Sequence, residues 1–220
     1  ELKEKIEGDA SGVDCLLIRM GVNVDAGLLA RMPRLKYIGI LSTSFHFVDV
    51  EEAQRRGILV RPTAHYSTEA VAEFTLAALL EHLRGLAQAR LDGRAGRFGT
   101  EGFDGAELRG KPVGIIGLGD IGGRVAQLAA GFGAHVRYWS RTRKPERETP
   151  QIRYADLTSV LAESDVVSLN VAITPQSRGL LSAGRILCLR PNAILISTVP
   201  PEAIDLGALV ARLEQQDLTF

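Results

Sequence analysis

Three glycines at fixed spacing are the residues that point most directly to chemistry. Gly117, Gly119 and Gly122 form the pattern GxGxxG between an apolar run at 113–116 and a predicted helix at 121–131. In such a setting the first glycine permits a tight turn and the second lets a pyrophosphate approach the backbone. The third lets helix and strand pack closely. The pattern predicts a dinucleotide site, and the alternative is a tight strand-to-helix turn that binds nothing.

The helix that follows these glycines would offer unpaired N–H groups and a partial positive charge to the phosphates. Further residues at helix starts and strand ends are also predicted to contact the dinucleotide. They are Asp120, Ile121, Val71, Val171, Thr174, Thr198 and Val199.

The end of the next strand is expected to select the cofactor. NAD-specific folds carry an acidic residue about 20 residues after the glycines, where it accepts bonds from the ribose hydroxyls. Here the position is Ser140, followed by Arg141, Thr142, Arg143 and Lys144. Guanidinium groups form paired hydrogen bonds to phosphate oxygens, so the segment suits a 2′-phosphate. The sequence favours NADP, with NAD as the alternative if this is only a solvated basic turn.

Short apolar runs alternate with amphipathic stretches, which indicates βαβ units and parallel sheets. The predicted strands cover residues 15–18, 37–40, 58–60, 113–116, 135–139, 166–169 and 193–197. The predicted helices cover residues 25–31, 50–56, 67–90, 121–131, 157–163, 182–187 and 204–215.

A glycine-rich segment at 92–105 separates the two arrays and indicates a domain junction. We expect one domain over residues 1–84 and a second over residues 85–220. The apolar residues of the helix at 67–90 cover more than one face, so we expect it to be buried between the two domains.

Composition excludes several classes of protein. The 26 basic residues balance the 26 acidic ones, which argues against nucleic-acid binding. No apolar run reaches the roughly 18 residues that span a bilayer, so no membrane segment is expected. Two cysteines, Cys15 and Cys188, are too few for a disulfide framework or a zinc site, so we expect no metal. We expect both cysteines to be thiols in the core, and the protein to be cytoplasmic. Because the chain starts at Glu1 and stops at Phe220, in what reads like a new strand, we expect a piece of a longer polypeptide.

Eight segments share their order and pattern with one enzyme family. They cover residues 35–39, 48–49, 53–58, 66–73, 108–119, 163–169, 174–180 and 195–198. Together they resemble the D-isomer-specific 2-hydroxyacid dehydrogenases. The resemblance implies a Rossmann-type NAD(P)-binding domain and a smaller flavodoxin-like α/β substrate domain, of which residues 1–84 would be part. It also implies a homodimer and hydride transfer between NAD(P) and a small anionic 2-oxo or 2-hydroxy acid.

The resemblance transfers only partly to the substrate site. Ser42, Thr43 and Ser44 stand where the family's glycine-rich loop offers N–H groups to the substrate carboxylate. In the segment 197–202, Pro200 stands where the family has its substrate-gripping arginine, and proline has no donor. The family's Glu–His pair would lie beyond the last residue. His46, on the substrate loop, is the candidate replacement acid; the alternative is that it only decorates the loop.

Three functions therefore stay open. The leading hypothesis is an NAD(P)-dependent oxidoreductase that acts on a small 2-oxo or 2-hydroxy acid. The second is a catalytically impaired family member that binds dinucleotide as a sensor or partner-binding protein. The third uses the dinucleotide for other chemistry. Pro200 favours the second and third, and it predicts slow turnover at best.

Overall fold

The chain forms two compact α/β units, whose boundary lies between Ser67 and Thr68. The computed structural model describes residues 8–19, 21–42, 45, 47–99, 101–102 and 104–220. The α/β class agrees with the prediction. Among the described residues, no helix is both long and apolar enough to cross a membrane.

The first unit is a parallel three-stranded sheet with two short helices. Its elements are β1 (Cys15–Arg19), α1 (Ala26–Ala30), β2 (Tyr37–Leu41), α2 (Val50–Arg55) and β3 (Leu59–Pro62). The strands lie in the order β1-β2-β3. Each helix begins behind an aspartate that accepts a backbone N–H of the first turn: Asp25 from Leu28 at 2.8 Å and Asp49 from Glu52 at 2.9 Å.

The second unit is built on a parallel six-stranded sheet. Its strands are β4 (Pro112–Ile116), β5 (His135–Trp139), β6 (Ile152–Tyr154), β7 (Val166–Leu169), β8 (Ala193–Ser197) and β9 (Leu218–Thr219). Its helices are α3 (Thr68–Arg84), α4 (Leu86–Arg94), α5 (Asp120–Gly131), α6 (Leu157–Glu163), α7 (Ala183–Leu187) and α8 (Leu206–Glu214).

The strand order of this second sheet is β6-β5-β4-β7-β8-β9. The chain winds outward from β4 to β6 and then crosses back to β7 on the other side of β4. Numbered within the unit this is the order 3-2-1-4-5-6 of a Rossmann fold. In such a sheet the loops after β4 and β7 diverge, and they leave a crevice at the carboxyl ends of the strands.

Helices cover both faces of this sheet. Successive side chains of a buried strand point to opposite faces, so neighbouring residues of β4 show which helices lie on each face. Ile115 and Ile116 in β4 are both fully buried, and they belong to different clusters. Ile115 packs in the cluster that includes side chains of α3 and α5. Ile116 packs in the cluster that includes side chains of α6, α7 and α8. The unit therefore has three layers.

The long helix differs from its prediction in two ways. Gly85, in the left-handed region at φ +59°, ends α3 and separates it from α4, which continues into the segment expected to be loose. The buried residues Ala72, Leu76, Leu79 and Leu83 form one stripe that packs within the second unit. Phe74, on the same helix, is 65% exposed, so the apolar residues of α3 are not all buried.

The observed unit boundary also differs from the division expected after residue 84. The contacts between α3 and α5 assign the whole of α3 to the second unit. The two cysteines were expected in the core, and this is wrong for Cys15, which is exposed, while Cys188 is half-buried. Cys15 is the first residue of β1, an outer strand of the first sheet, in which Leu17 and Arg19 are also exposed.

A buried arginine connects the segment before β9 to the end of α7. Arg212 in α8 is 5% exposed. Its guanidinium donates to the carbonyl oxygens of Ile186 at 2.9 Å and Leu189 at 2.8 Å, and to the Asp217 carboxylate at 2.8 and 3.1 Å. These hydrogen bonds lower the pKa of the Asp217 carboxyl. The ion pair therefore contributes stability above the pKa of the unfolded carboxyl and loses it as the pH falls through the folded value.

We predict that Arg212→Met lowers the free energy of unfolding by about 3 kcal/mol, because it removes the guanidinium donor from the buried Leu189 carbonyl and from the Asp217 carboxylate. Urea denaturation at neutral pH measures this loss. The matched control is Arg190→Ala, since Arg190 pairs with Asp165 at 2.6 Å on the surface. An exposed pair of that kind contributes less than about 1 kcal/mol. Equal losses in the two variants would contradict the structural role of Arg212.

Candidate functional site

The loop between β4 and α5 is shaped by its glycines, each for a different reason. Gly117 has φ +96°, and a β-carbon there would lie 2.6 Å from the carbonyl oxygen of Asn170. A β-carbon on Gly122 would lie 1.9 Å from the carbonyl oxygen of Gly117. At Gly119, which precedes the first residue of α5, a β-carbon would meet no atom within 4 Å. Packing therefore requires glycine at the first and third positions, while the second faces open space.

A cavity of about 380 Å³ lies at the carboxyl ends of β4, β5 and β7. It occupies the crevice that the strand order predicts. The lining residues come from the end of β5 and from the loops that follow these strands: Gly117, Leu118, Gly119, Trp139, Ser140, Arg141, Thr142, Lys144, Asn170, Val171, Ala172, Thr174, Gln176, Ser177 and Leu180. The open space beside Gly119 therefore belongs to a cavity that suits an extended ligand.

The structure brings together most of the predicted cofactor residues. Seven of them line the cavity: Gly117, Gly119, Ser140, Arg141, Thr142, Val171 and Thr174. Asp120, Ile121 and Gly122 form the first turn of α5 behind the glycine loop. The remaining four are not among the lining residues: Val71, Arg143, Thr198 and Val199.

Arg143 is held by a carboxylate instead of lining the cavity. Its guanidinium donates two hydrogen bonds to Glu148, at 2.7 and 3.0 Å, and lies 5.5 Å from the centre of the Tyr154 ring. Glu148 also accepts the Tyr138 hydroxyl at 3.1 Å, and that hydroxyl accepts the backbone N–H of Lys144 at 2.9 Å. The hydrogen bonds from Arg143 lower the pKa of the Glu148 carboxyl. This network fixes the shape of the basic turn.

The wall formed by the basic turn is positively charged. Arg141 and Lys144 line the cavity, and no Asp or Glu is among the described residues that line it. Ser140, only 8% exposed, donates its hydroxyl to the carbonyl of Thr142 at 2.6 Å and so closes a tight local turn. The wall therefore suits an anionic group, and it lacks the carboxylate with which NAD-specific folds hold the ribose.

The opposite wall contains residues that the sequence analysis missed. Ser177 accepts the backbone N–H of Thr174 at 2.8 Å and donates to the carbonyl of Ala172 at 2.6 Å, which folds the loop after β7 back on itself. Asn170 donates to the Ser168 hydroxyl at 2.9 Å, while its buried Oδ1 has no hydrogen-bond partner among the described residues. Asn170 directly follows β7, and its position at the carboxyl end of a central strand was the available signal.

Of the predicted substrate residues, Ser42 alone is described. It is buried after β2, and its carbonyl accepts the backbone N–H of Thr63 at 3.1 Å. Thr43, Ser44 and His46 lie outside the described residues. Pro200, at φ −56°, precedes a short 3-10 turn after β8 and is not among the residues that line the cavity.

Comparison with known proteins connects this architecture to a family. Residues 76–220 match the family described as D-isomer specific 2-hydroxyacid dehydrogenase, NAD binding domain. The chain belongs to this family. The match covers most of the second unit, so the glycine loop and the cavity lie in the family's dinucleotide-binding domain, as the resemblance predicted.

Similar members of the family differ in name and ligand. A glyoxylate reductase of Thermococcus litoralis is 36% identical over 211 residues, which cover 92% of this chain and 64% of that protein. The chain thus spans less than two thirds of that relative's length. The D-lactate dehydrogenase of Aquifex aeolicus, solved with NAD and lactic acid, has a TM-score of 0.90 at 28% identity and covers 95% of this chain and 63% of that one.

An acyclic imino acid reductase, solved with NADPH and D-Arg, has a TM-score of 0.85 at 29% identity and covers 95% of this chain and 67% of that one. The two solved structures hold different dinucleotides. They support a nicotinamide dinucleotide as the ligand of this dehydrogenase fold without choosing between NAD and NADP.

We predict opposite effects of side chains at two glycines of the motif. Gly119→Leu should leave the free energy of unfolding within about 1 kcal/mol of the unmodified protein, because its β-carbon meets only open space. It should weaken dinucleotide binding at least about tenfold by filling the space where phosphates approach. Gly122→Ala should instead lower the free energy of unfolding by about 1–3 kcal/mol through overpacking.

Urea denaturation and calorimetric titration with NADH and NADPH separate these effects. Unchanged binding by a folded Gly119→Leu protein would show that the loop is a structural turn.

Proposed function

We propose that the protein is an NADP(H)-dependent oxidoreductase that acts on a small anionic 2-oxo or 2-hydroxy acid, with glyoxylate as the first substrate to test. The observation that carries the proposal is the cavity beside the glycine loop, with a cationic wall and no described carboxylate in its lining. The glyoxylate reductase from Thermococcus litoralis supports the choice of substrate.

The preference for NADP rests on the basic turn after β5. Ser140 stands where an acidic residue would accept the ribose hydroxyls, and Arg141 and Lys144 supply positive charge to the same wall. The sequence prediction also assigned Arg143 to the 2′-phosphate. Because Arg143 is paired with Glu148, we assign it to the shape of the turn and assign the phosphate to Arg141 and Lys144.

In the proposed reaction, a nicotinamide dinucleotide supplies or accepts the hydride. The residues of this chain bind and orient it: the glycine loop receives the phosphates, and the basic turn receives the ribose end. The loop that starts at Ser42 is proposed to hold the substrate carboxylate through backbone N–H groups.

We predict that NADP(H) binds more tightly than NAD(H), and that Arg141→Ala removes most of the difference. Loss of a phosphate–guanidinium pair should weaken NADPH binding about tenfold or more while NADH binding changes little. Calorimetric titration of both dinucleotides measures the ratio. Arg190→Ala, which removes an arginine outside the cavity, should leave it unchanged. Tighter binding of NAD(H), or an equal loss for both dinucleotides, would contradict the proposal.

A second candidate function is supported by Pro200. A reducible carbonyl gains negative charge as hydride arrives, and a fixed donor at that point commonly contributes about 10²–10³ in rate. Proline offers no N–H and no side-chain donor at the position where the resemblance implies an arginine. A family member that binds the dinucleotide without turning over an acid, as a sensor or partner-binding protein, is therefore the alternative.

We predict turnover below about 1 s⁻¹ with glyoxylate, hydroxypyruvate or pyruvate, and an increase of about 10²-fold in Pro200→Arg. The backbone accepts the change, because φ −56° and ψ 147° suit an arginine that precedes Pro201. Steady-state NADPH oxidation by the full-length protein provides the measurement, with Gly119→Leu as a control that should show no activity. Turnover well above 1 s⁻¹ in the unmodified protein would contradict the importance of Pro200. Tight binding without turnover in either protein would favour the alternative function.

We further propose a homodimer in a reducing, cytoplasmic location. Exposed apolar side chains on α3, on α4 and shortly after α4 supply a surface of the kind that subunit contacts bury: Phe74, Leu86, Leu91 and Phe98. The two unpaired cysteines support the reducing compartment.

A further inference from the structure

An arginine outside the glycine motif reaches across to the glycine loop. Arg147 is the last residue of the short 3-10 turn Pro145–Arg147, 28 positions after Gly119. Its Nη1 donates to the carbonyl of Gly119 at 2.8 Å and, more weakly, to the carbonyl of Leu118 at 3.5 Å. Its Nη2 lies 3.4 Å from the Asp120 carboxylate. A single guanidinium therefore contacts three successive residues of the loop.

The first turn of α5 leaves room for this guanidinium. Gly123 follows the last glycine of the motif, and a β-carbon there would lie 2.9 Å from Nη1 of Arg147. A side chain at 123 would displace the guanidinium from its place. The two adjacent glycines thus serve different contacts, since Gly122 admits the carbonyl of Gly117 and Gly123 admits Arg147.

The contact with Gly119 fixes the orientation of one peptide group. The Gly119 carbonyl also accepts the N–H of Gly123 at 2.8 Å, the first hydrogen bond of the helix. In a planar trans peptide the N–H of Asp120 points opposite to that carbonyl, away from the helix. Arg147 therefore helps to hold the N–H group of Asp120 at the N-terminus of α5, where phosphates bind in this kind of fold.

The contact with Asp120 changes the charge at the same place. A carboxylate in the first turn stabilises a helix, but it also repels a phosphate that approaches the same N–H groups. Arg147 pairs with this carboxylate, so the start of α5 keeps its positive potential. The side chain of Arg147 is 38% exposed, so ions in solution screen its charge and its effect on binding should depend on the salt concentration.

We propose that Arg147 is a positioning residue for the pyrophosphate of the dinucleotide, which it serves by holding the Gly119–Asp120 peptide and by neutralising Asp120. The inference rests on the proposed function of the cavity. It differs from the assignment of Arg141, because the pyrophosphate is common to NAD(H) and NADP(H). Arg147 should therefore strengthen the binding of both dinucleotides by the same factor, while Arg141 serves NADP(H) alone.

The test measures dissociation constants for NADH and NADPH with the full-length protein. Trp139 is the single tryptophan of the chain and lines the cavity, so its fluorescence reports occupancy directly. Arg147→Ala should weaken both dinucleotides by the same factor of about ten, and Arg147→Lys should recover part of the loss by restoring the charge. The loss should shrink as the salt concentration rises.

Two further variants separate positioning from folding. Arg190→Ala removes an arginine of similar exposure that is also paired with an aspartate, and it should leave both dissociation constants unchanged. In an Asp120→Asn background, Arg147→Ala should cost less than in the unmodified protein, because no carboxylate then needs a partner. Melting temperatures without dinucleotide should fall equally for Arg147→Ala and Arg190→Ala.

Equal binding by Arg147→Ala and the unmodified protein would overturn the inference while leaving the proposed function intact. A loss confined to NADPH would also overturn it, since Arg147 would then be a ligand of the 2′-phosphate. Failure of the unmodified protein to bind either dinucleotide would overturn both the inference and the proposed function.

Discussion

The close approach of α5 to the turn after β4 is the constraint on which the second unit depends. A β-carbon at Gly122 would overlap the carbonyl of Gly117, so only glycine lets the helix begin so near the sheet. The start of the helix thereby comes to the carboxyl ends of the strands, directly after the loop residues Gly117, Leu118 and Gly119 that line the cavity. The same helix packs against α3, which places that helix in the dinucleotide-binding unit. The contact between Gly122 and Gly117 thus fixes the start of α5 next to the loop that lines the cavity.

For some elements the sequence predicts both the first and the last residue correctly. Strands β5, β7 and β8 and helix α6 have the predicted bounds, and β7 and β8 are short apolar runs that begin directly after a polar residue, Asp165 and Asn192. Strand β6 was missed, since three residues with only Ile152 buried are too short to show a period. The break at Gly85 was missed for another reason. A single glycine within a helical pattern is commonly tolerated, so only the packing of α3 determines where that helix ends.

The candidate site shows the same limit. The motif and the basic turn could be located from the sequence, but the roles of four neighbouring cations could not. Arg143 and Arg147 are distinguished from Arg141 and Lys144 by their acidic partners, Glu148 in one case and Asp120 in the other. Those partnerships depend on the reversal of the chain after β5, which no spacing in the sequence encodes. Charge identity predicts the ligand class, whereas the fold determines which charge meets the ligand.

The fan of hydrogen bonds from Arg212 has a consequence for how the sheet opens. Strand β9 pairs in parallel with β8. The carboxylate of Asp217, which precedes β9, accepts from the guanidinium of Arg212. The same guanidinium donates to the carbonyls of Ile186 and Leu189 at the end of α7 and just after it. Separation of β9 from β8 would take the Asp217 carboxylate away from the Arg212 guanidinium. The guanidinium would then stay buried in α8 without its anionic partner, which makes this separation costly. We therefore expect β9 to open together with the helical layer that contains Arg212, as one cooperative unit.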